Sequence, residues 1–474
     1  MNPTRYEQMA VRAYSETKGG AHDERRPSPR TFNLPEHALV LDTETTTDAT
    51  QALLFGSARL VAVSSKTHAR GTCLREVIFY ADDLPERDPE GLEVLREYVR
   101  SKPADINSKR RHKRIGFMSR REFVEGGFYK LAYKAQCLVV GFNLFFDLPR
   151  LAVAASDARR SFGGGFSLTL WDYENAGGAR SEDSYRPRLL MKSLGSKGQL
   201  IQFTDRLGGD PEDYETVKLA DGEQKRRAFK GHFLDAHTLD FALSNVSRGL
   251  AKACKAWGVE HGKGEAEEHG VITSAYIDYN RLDVKATGEL LVKLLEEFEQ
   301  HPIPLQVTKA YSPASIAKSY LQTLGIVPPL SRQVDFPRDV LGYAMCSYYG
   351  GRAECRIRRV PLPVRYVDFL SMYPTVNALM GNWYLLTADS IDVVDATDEV
   401  RKFVDSVTGE DCFDPVTWRR LPAFVRVLPR GEVFPVRTRY ETGGQSYQIG
   451  SNYLTSRAPL WYALPDVVAA KLLT

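Results

Sequence analysis

Asp42 and Glu44 stand two residues apart just after the apolar run ALVL. Asp147 closes the segment QCLVVGFNLFFD, and Asp283 lies four residues after Tyr279 in TSAYIDYNRLDVKATGELLVKLLEEFEQ. Residues two apart at a strand end project to the same side, so Asp42 and Glu44 address one site. Residues four apart on a helix share a face, which pairs Tyr279 with Asp283 and Asn143 with Asp147. Oxygen-only ligand sets of this kind suit Mg²⁺ or Mn²⁺. Several carboxylates converging on two such ions, held about 4 Å apart, are what metal-assisted cleavage of a phosphodiester requires.

Each feature also has an ordinary structural explanation. Asp147 suits the N-cap of a helix DLPRLAVAA with Pro149 in its first turn, and Tyr279 suits a packed ring beside an exposed Asp283. The Asp-x-Glu spacing recurs at Asp172/Glu174, Asp213/Glu215 and Asp221/Glu223, but polar surroundings make those three solvated surface. Only Asp42 and Glu44 follow an apolar strand. Serine-nucleophile chemistry has no support, since no G-x-S-x-G occurs, and His232 and His237 in HFLDAH read as packing residues. Asp235, on the same stretch, is expected to make structural hydrogen bonds, with a place near the metals as the other reading.

The elements that must position these side chains follow from periodicity. Residues 1–36, rich in charge, Gly and Pro, read as a flexible amino-terminal arm. Order starts near His37 with three successive strands, ALVLDTET, ARLVAVSS and REVIFYA, which suggest a meander. The amphipathic helix EGLEVLREYVRS, the strand QCLVVGF and a following helix imply an α/β layer arrangement. Residues 161–230 read as an insertion with a hairpin around Gly195 and Gly198. The strand HFLDAHTLD and helices over FALSNVSRGLAKACKAWGV and TSAYIDYNRLDVKATGELLVKLLEEFEQ then close a first domain, 37–300, before the Pro-flanked HPIPLQ. A linker helix, SPASIAKSYLQTLGI, leads into a second unit, 301–474, that opens with strand-rich YYGGRAECRIRR and PVRYVDFLSMYP.

The order Asp-x-Glu, then Asn-x-x-Phe-Asp, then Tyr-x-x-x-Asp resembles the three exonuclease motifs of the DEDD superfamily in its tyrosine-using variant. Asp368-x-x-Ser371-x-Tyr373-Pro374 resembles motif A of family B DNA polymerases, and Tyr348-x-Gly350-Gly351 resembles the element between their exonuclease and polymerase domains. The resemblance spans about residues 38 to 374 through its motifs, and the last hundred residues match only loosely. It implies an α/β, ribonuclease H-like 3′→5′ exonuclease domain with a mixed sheet, followed by an incomplete α+β polymerase palm. It further implies two Mg²⁺ or Mn²⁺ ions held by Asp42, Glu44, Asp147 and Asp283, water oriented by Tyr279, and DNA 3′-end contacts from Thr45, Asn143 and Phe146. In the palm it implies a metal on Asp368, nucleotide contacts from Phe369, Leu370, Ser371 and Tyr373, and template contacts from Tyr348, Gly350, Gly351 and Arg352.

Family B members also carry a Lys-x-x-x-Asn-Ser-x-Tyr-Gly helix and an Asp-Thr-Asp turn, and neither occurs here. The expectation is therefore exonuclease activity without polymerisation from this chain alone, with a separate chain completing the palm or a truncation at LPDVVAAKLLT. The alternative is a non-catalytic DNA-binding subunit of a split polymerase. Arg352, Arg356, Arg358 and Arg359, and the run Lys109, Arg110, Arg111, Lys113 and Arg114, offer basic contacts to nucleic acid, or else solvated surface.

Bulk composition agrees without deciding. With 474 residues, 43% hydrophobic and 26% charged, the chain is long enough for two to four globular domains. Lys and Arg outnumber Asp and Glu by only 63 to 60, so net charge says nothing about a polyanion partner. Six scattered cysteines form neither a zinc pattern nor a disulfide scaffold. No apolar run approaches the roughly 20 residues of a membrane helix. A cytoplasmic monomer that binds DNA and no membrane is the expectation.

Overall fold

The computed structural model describes residues 10–16, 33–106, 114–183, 185–195, 198–204, 215–218, 224–227, 229–264, 269–352, 357, 359–438 and 448–474. The chain divides into two compact units, Ser28–Leu324 and a second formed by Met1–Pro27 with Gly325–Thr474. Among the described residues no helix is long and apolar enough to cross a membrane.

The first unit is α/β, built on a mixed six-stranded sheet. In spatial order its strands are His232–Asp235, Leu138–Gly141, His37–Thr45, Leu53–Ala62, Cys73–Tyr80 and Gly116–Ser119. The His37–Thr45, Leu53–Ala62 and Cys73–Tyr80 strands form the expected antiparallel meander. Leu138–Gly141 pairs parallel with the free edge of His37–Thr45, and His232–Asp235 pairs parallel beyond it. Gly116–Ser119 adds a parallel strand at the opposite end.

Strand alternation divides the core between the two faces. Leu39 and Leu41 face one core with Phe55, Ile78, Phe79 and Phe123; Ala38 and Val40 face the other. That second face is covered by the long helix Ser274–Glu299, whose Ala286, Leu290, Leu291 and Leu294 are fully buried. The side chains of Asp42 and Glu44 continue the even-numbered series. They therefore fall under the same helix, one or two turns nearer its amino end.

Several expectations are corrected. Ala10–Glu16, placed in a flexible arm, is a strand of the second unit between Ser390–Asp395 and Ala423–Val427. Backbone pairing on both edges outweighs the polar composition around it. The first unit ends at Leu324 instead of near 300, because helix Pro313–Thr323 belongs to it, with Ile316 in the core under the sheet. The stretch HFLDAHTLD is not one strand: Asp235 accepts the Thr238 N–H at 2.8 Å and caps a helix, Ala236–Ser244, that contains His237 and Asp240. The following helical stretch breaks at Asn245, left-handed with φ 56°, and resumes as Leu250–Ala256. The insertion begins earlier than 161. An antiparallel sheet runs over Ala154–Asp157, Phe166–Thr169, Leu189–Ser193 and Gln199–Phe203, and its last pair is the expected hairpin.

The second unit is α+β. Its four-stranded antiparallel sheet has the order Ser390–Asp395, Ala10–Glu16, Ala423–Val427 and Leu460–Ala463. Val400, Phe403, Val425, Tyr462 and Val467 pack its core with helices Thr397–Ser406 and Leu464–Leu473. The strands expected over YYGGRAECRIRR and PVRYVDFLSMYP are not formed by the described residues there. Tyr348–Arg352 follows helix Arg338–Ser347 as irregular chain, and residues 361–369 have no regular secondary structure. A strand needs a neighbour to satisfy its backbone, and no strand among the described residues pairs with this stretch. Lys109, Arg110, Arg111, Lys113, Arg356 and Arg358 lie outside the described residues.

Gly56 in the second meander strand is a point of obligatory close approach: a Cβ there would lie 2.4 Å from Phe79 Cζ and 2.7 Å from the Asp42 carbonyl oxygen. The ring can turn, but the backbone oxygen belongs to the strand that carries Asp42. Gly56→Ala is expected to cost about 1–3 kcal/mol, the usual price of overpacking. Urea denaturation with an unchanged m-value would register the loss; an unaltered midpoint would contradict it.

Candidate functional site

The site forms at the carboxyl end of the His37–Thr45 strand, where a register shift between Glu44 and Thr45 interrupts the ladder directly after the Asp-x-Glu pair. Such an irregularity re-aims side chains where the pairing ends. The long helix crosses above with Tyr276, Asn280 and Asp283 at i, i+4 and i+7, one stripe on its surface.

Asn280, wholly buried, is the residue that ties helix to strand. Its amide nitrogen donates to Asp42 Oδ2 at 2.7 Å and to Glu44 Oε1 at 3.2 Å, while its oxygen accepts the Ser57 hydroxyl. Tyr276 donates its hydroxyl to the other Glu44 oxygen. Asp283 is buried on the same stripe. It accepts the Gly264 N–H at 3.1 Å, and Lys263 Nζ lies 4.0 Å from its second oxygen. The Lys263 ammonium also stands 5.5 Å above the Tyr279 ring.

Asp147 arrives from the other side of the strand. Its helix is Leu144–Arg150, with Asn143 at the N-cap, so Asp147 is not the cap and Pro149 lies inside the helix. Only 2% exposed, it accepts the backbone N–H of Thr43 at 3.1 Å and the Thr43 hydroxyl at 2.8 Å. The residue between Asp42 and Glu44 thus fixes the third carboxylate. Asp235 stands behind it in a structural role, accepting Leu144 N–H and Thr238 N–H at 2.8 Å each. Asn143 is exposed and accepts a long 3.4 Å hydrogen bond from Gln199, whereas Phe146 and Thr45 are half-buried at the rim. Arg150 lies 4.4 Å over the Phe146 ring.

The electrostatics record four acids crowded out of water. Burial, and then the charges of Asp147, Glu44 and Asp283, push the Asp42 carboxyl well above the usual carboxylate range. Burial likewise lifts Glu44 and Asp147 to about 7, against the hydrogen bonds from Tyr276 and Asn280 to one and from Thr43 to the other. Burial raises Asp283 despite Gly264 and Lys263, and the buried Asp235 rises to about 6. The Tyr276 and Tyr279 phenols are driven up by burial and by these neighbouring carboxylates, so both remain hydroxyl donors. Lys263 is the cation that opposes the raised values of Asp42, Glu44 and Asp283.

The four carboxylates, all-oxygen and short of positive charge, have the donor chemistry of a hard divalent site. They are nevertheless spread more widely than the most compact ligand group among the described residues, which is Glu260, His261 and Glu289, with ligand atoms within 4.8 Å of one another.

Sequence reading missed Asn280, Tyr276, Thr43 and Lys263. The first two were legible as the i−3 and i−7 neighbours of Asp283 on one helical stripe. Lys263 lies in a loop 20 residues before Asp283, without a periodic signal.

The residues marked in the second unit make no comparable cluster. Asp368, Phe369, Leu370, Ser371 and Tyr373 are all exposed, Leu370 to 94%, on unpaired chain and at the start of helix Met372–Met380. Ser371 adopts φ 56° and Gly350 φ 76°. Tyr348 is exposed, while Arg352 is tied to the Ser451 hydroxyl. Comparison with family models, with characterised proteins and with solved structures returns no match.

These shifts set a pH dependence. Carboxylates near 4 when unfolded and raised when folded bind protons in the native state that the unfolded state has released. Their contribution is therefore fully present below about pH 4 and is lost as pH rises through about 7. In chelator, the melting temperature of the first unit should fall by several degrees between pH 5 and pH 8, with a shallower fall in Glu44→Gln and Asp147→Asn. A profile equally steep in those variants, or rising over that interval, would count against the shared site.

Proposed function

We propose that this chain is the exonuclease-bearing part of a family B DNA polymerase and removes 3′-terminal nucleotides from DNA with the help of two divalent ions. The observation that carries the reading is the convergence of Asp42, Glu44, Asp147 and Asp283 on one strand end, through Asn280, Thr43 and the helix that also presents Tyr279. The sheet supports the ribonuclease H-like assignment: three antiparallel strands, then two parallel ones added on the free edge of the first.

The residues present fit a pair of hard cations. Asp42, Glu44, Asp147 and Asp283 would hold Mg²⁺ or Mn²⁺, which when bound supplies the electrophilic charge that phosphodiester hydrolysis needs. The chain's own groups do the rest. Asn280 and Tyr276 orient Asp42 and Glu44. Tyr279, its hydroxyl still protonated and on the same helix face as Asp283, would supply the group that orients the attacking water. Lys263 brings positive charge beside Asp283 for the scissile phosphate. Phe146, backed by Arg150, offers a flat surface for a terminal base, with Thr45 and Asn143 at the rim for the sugar and phosphate. The second unit is assigned to a partial palm, and Asp368 on its exposed segment would bind metal only once a further segment or chain supplies the missing motifs.

The test is digestion of a 3′-labelled single strand in Mg²⁺ or Mn²⁺. Mononucleotide release should vanish with chelator and with the Asp42→Ala, Glu44→Ala double variant, and Tyr279→Phe should lower kcat by roughly 10²-fold. Wild-type cleavage rates in the double variant would refute the proposal. DNA binding without digestion, indifferent to chelator, would favour a non-catalytic DNA-binding subunit.

A further inference from the structure

The loop after helix Leu250–Ala256 turns at Gly258, left-handed with φ 62°, and folds back on the long helix. There His261 makes two contacts with one carboxylate: its backbone N–H lies 3.1 Å from Glu289 Oε2 and its Nδ1 2.8 Å from Glu289 Oε1. Glu260, exposed, brings a second carboxylate to the same point, so that one ligand atom from each of the three residues lies within 4.8 Å of the other two. Metal bonds of about 2.0–2.2 Å place ligand atoms roughly 3–4 Å apart, so small side-chain rotations suffice to close the group on one ion.

We propose that Glu260, His261 and Glu289 bind a single first-row divalent transition ion of the Zn²⁺ type, separate from the acidic site. The donor set carries the choice of metal: one imidazole nitrogen with two carboxylate oxygens suits borderline ions, whereas an all-oxygen set suits Mg²⁺. Charge agrees, because a divalent ion neutralises two carboxylates of which only Glu289 is bonded to the imidazole.

The position gives the ion a consequence. Two and three residues beyond His261, the same loop supplies Lys263 and Gly264 to Asp283. Glu289 lies six residues beyond Asp283, about 9 Å along the same helix. An ion at Glu289 therefore staples the loop to the helix next to the point where the loop meets Asp283, and holds Lys263 in place over Tyr279. The site does not require the acidic cluster to be catalytic.

Zn²⁺ titration by calorimetry and Co²⁺ titration by visible absorption, on the full chain carrying Asp42→Ala and Glu44→Ala, remove competition from the acidic cluster. One equivalent of each ion is expected, undisturbed by Mg²⁺. Adding His261→Ala should weaken binding by at least roughly 100-fold. Glu260→Gln, at an exposed position, should weaken it at least about 10-fold without disturbing the fold. Bound Zn²⁺ should also slow amide exchange at Gly264. Failure to bind either ion, affinity unchanged by both substitutions, or displacement by equimolar Mg²⁺ would overturn the site. Unchanged exchange at Gly264 would overturn the stapling of the loop.

Discussion

Like charges held together out of water are the constraint on which the rest of the first unit depends. Burying one unpaired carboxylate is costly, and gathering several at one strand end adds their repulsion. The fold manages this with neutral donors aimed at the oxygens: the Asn280 amide spans Asp42 and Glu44, Tyr276 closes on Glu44, and Thr43 gives both its N–H and its hydroxyl to Asp147. These bonds only partly offset burial, which is why Glu44 and Asp147 remain near 7. The residual imbalance is what a divalent cation would relieve. Such an arrangement is poor for stability and useful for binding, the pattern expected where a site is built at the expense of the fold.

The sheet makes this placement unavoidable once its register is set. Even-numbered residues of the central strand pass from Ala38 and Val40, packed under the apolar half of the long helix, to Asp42 and Glu44 under its polar half. One helix thus covers the core and the acidic cluster alike. Sliding the strand by one residue would bury the carboxylates in the opposite core and turn Leu39 and Leu41 toward the helix, so hydrophobic register and site geometry are specified together.

The second unit shows the converse. Its sheet and helices bury a core around Tyr462, yet Val364, Tyr366, Val367 and Phe369 stand highly exposed on chain without regular secondary structure. β-branched and aromatic residues in that pattern suit a strand. Among the described residues no strand pairs with them, and they form none.

The sequence by itself determined the meander, the long helix and the four acidic positions, because period-2 and period-3.6 patterns are local and the Asp-x-Glu and Tyr-x-x-x-Asp spacings lie within single elements. It indicated that the Asp-x-Glu pair at residue 172 was surface; in the short hairpin strand Asp172–Glu174, Glu174 is exposed whereas Asp172 is largely covered and ion-paired with Arg180 and Arg121. Only the tertiary structure decided that Asn280 bridges two acids 236 and 238 residues away, that Asp147 is anchored by Thr43 and is no helix cap, and that Ala10–Glu16 belongs to a sheet some 380 residues distant. Those outcomes depend on which strand edge remains free and which polar group is left facing a buried carboxylate. Both are properties of the assembled chain, and no local pattern encodes them.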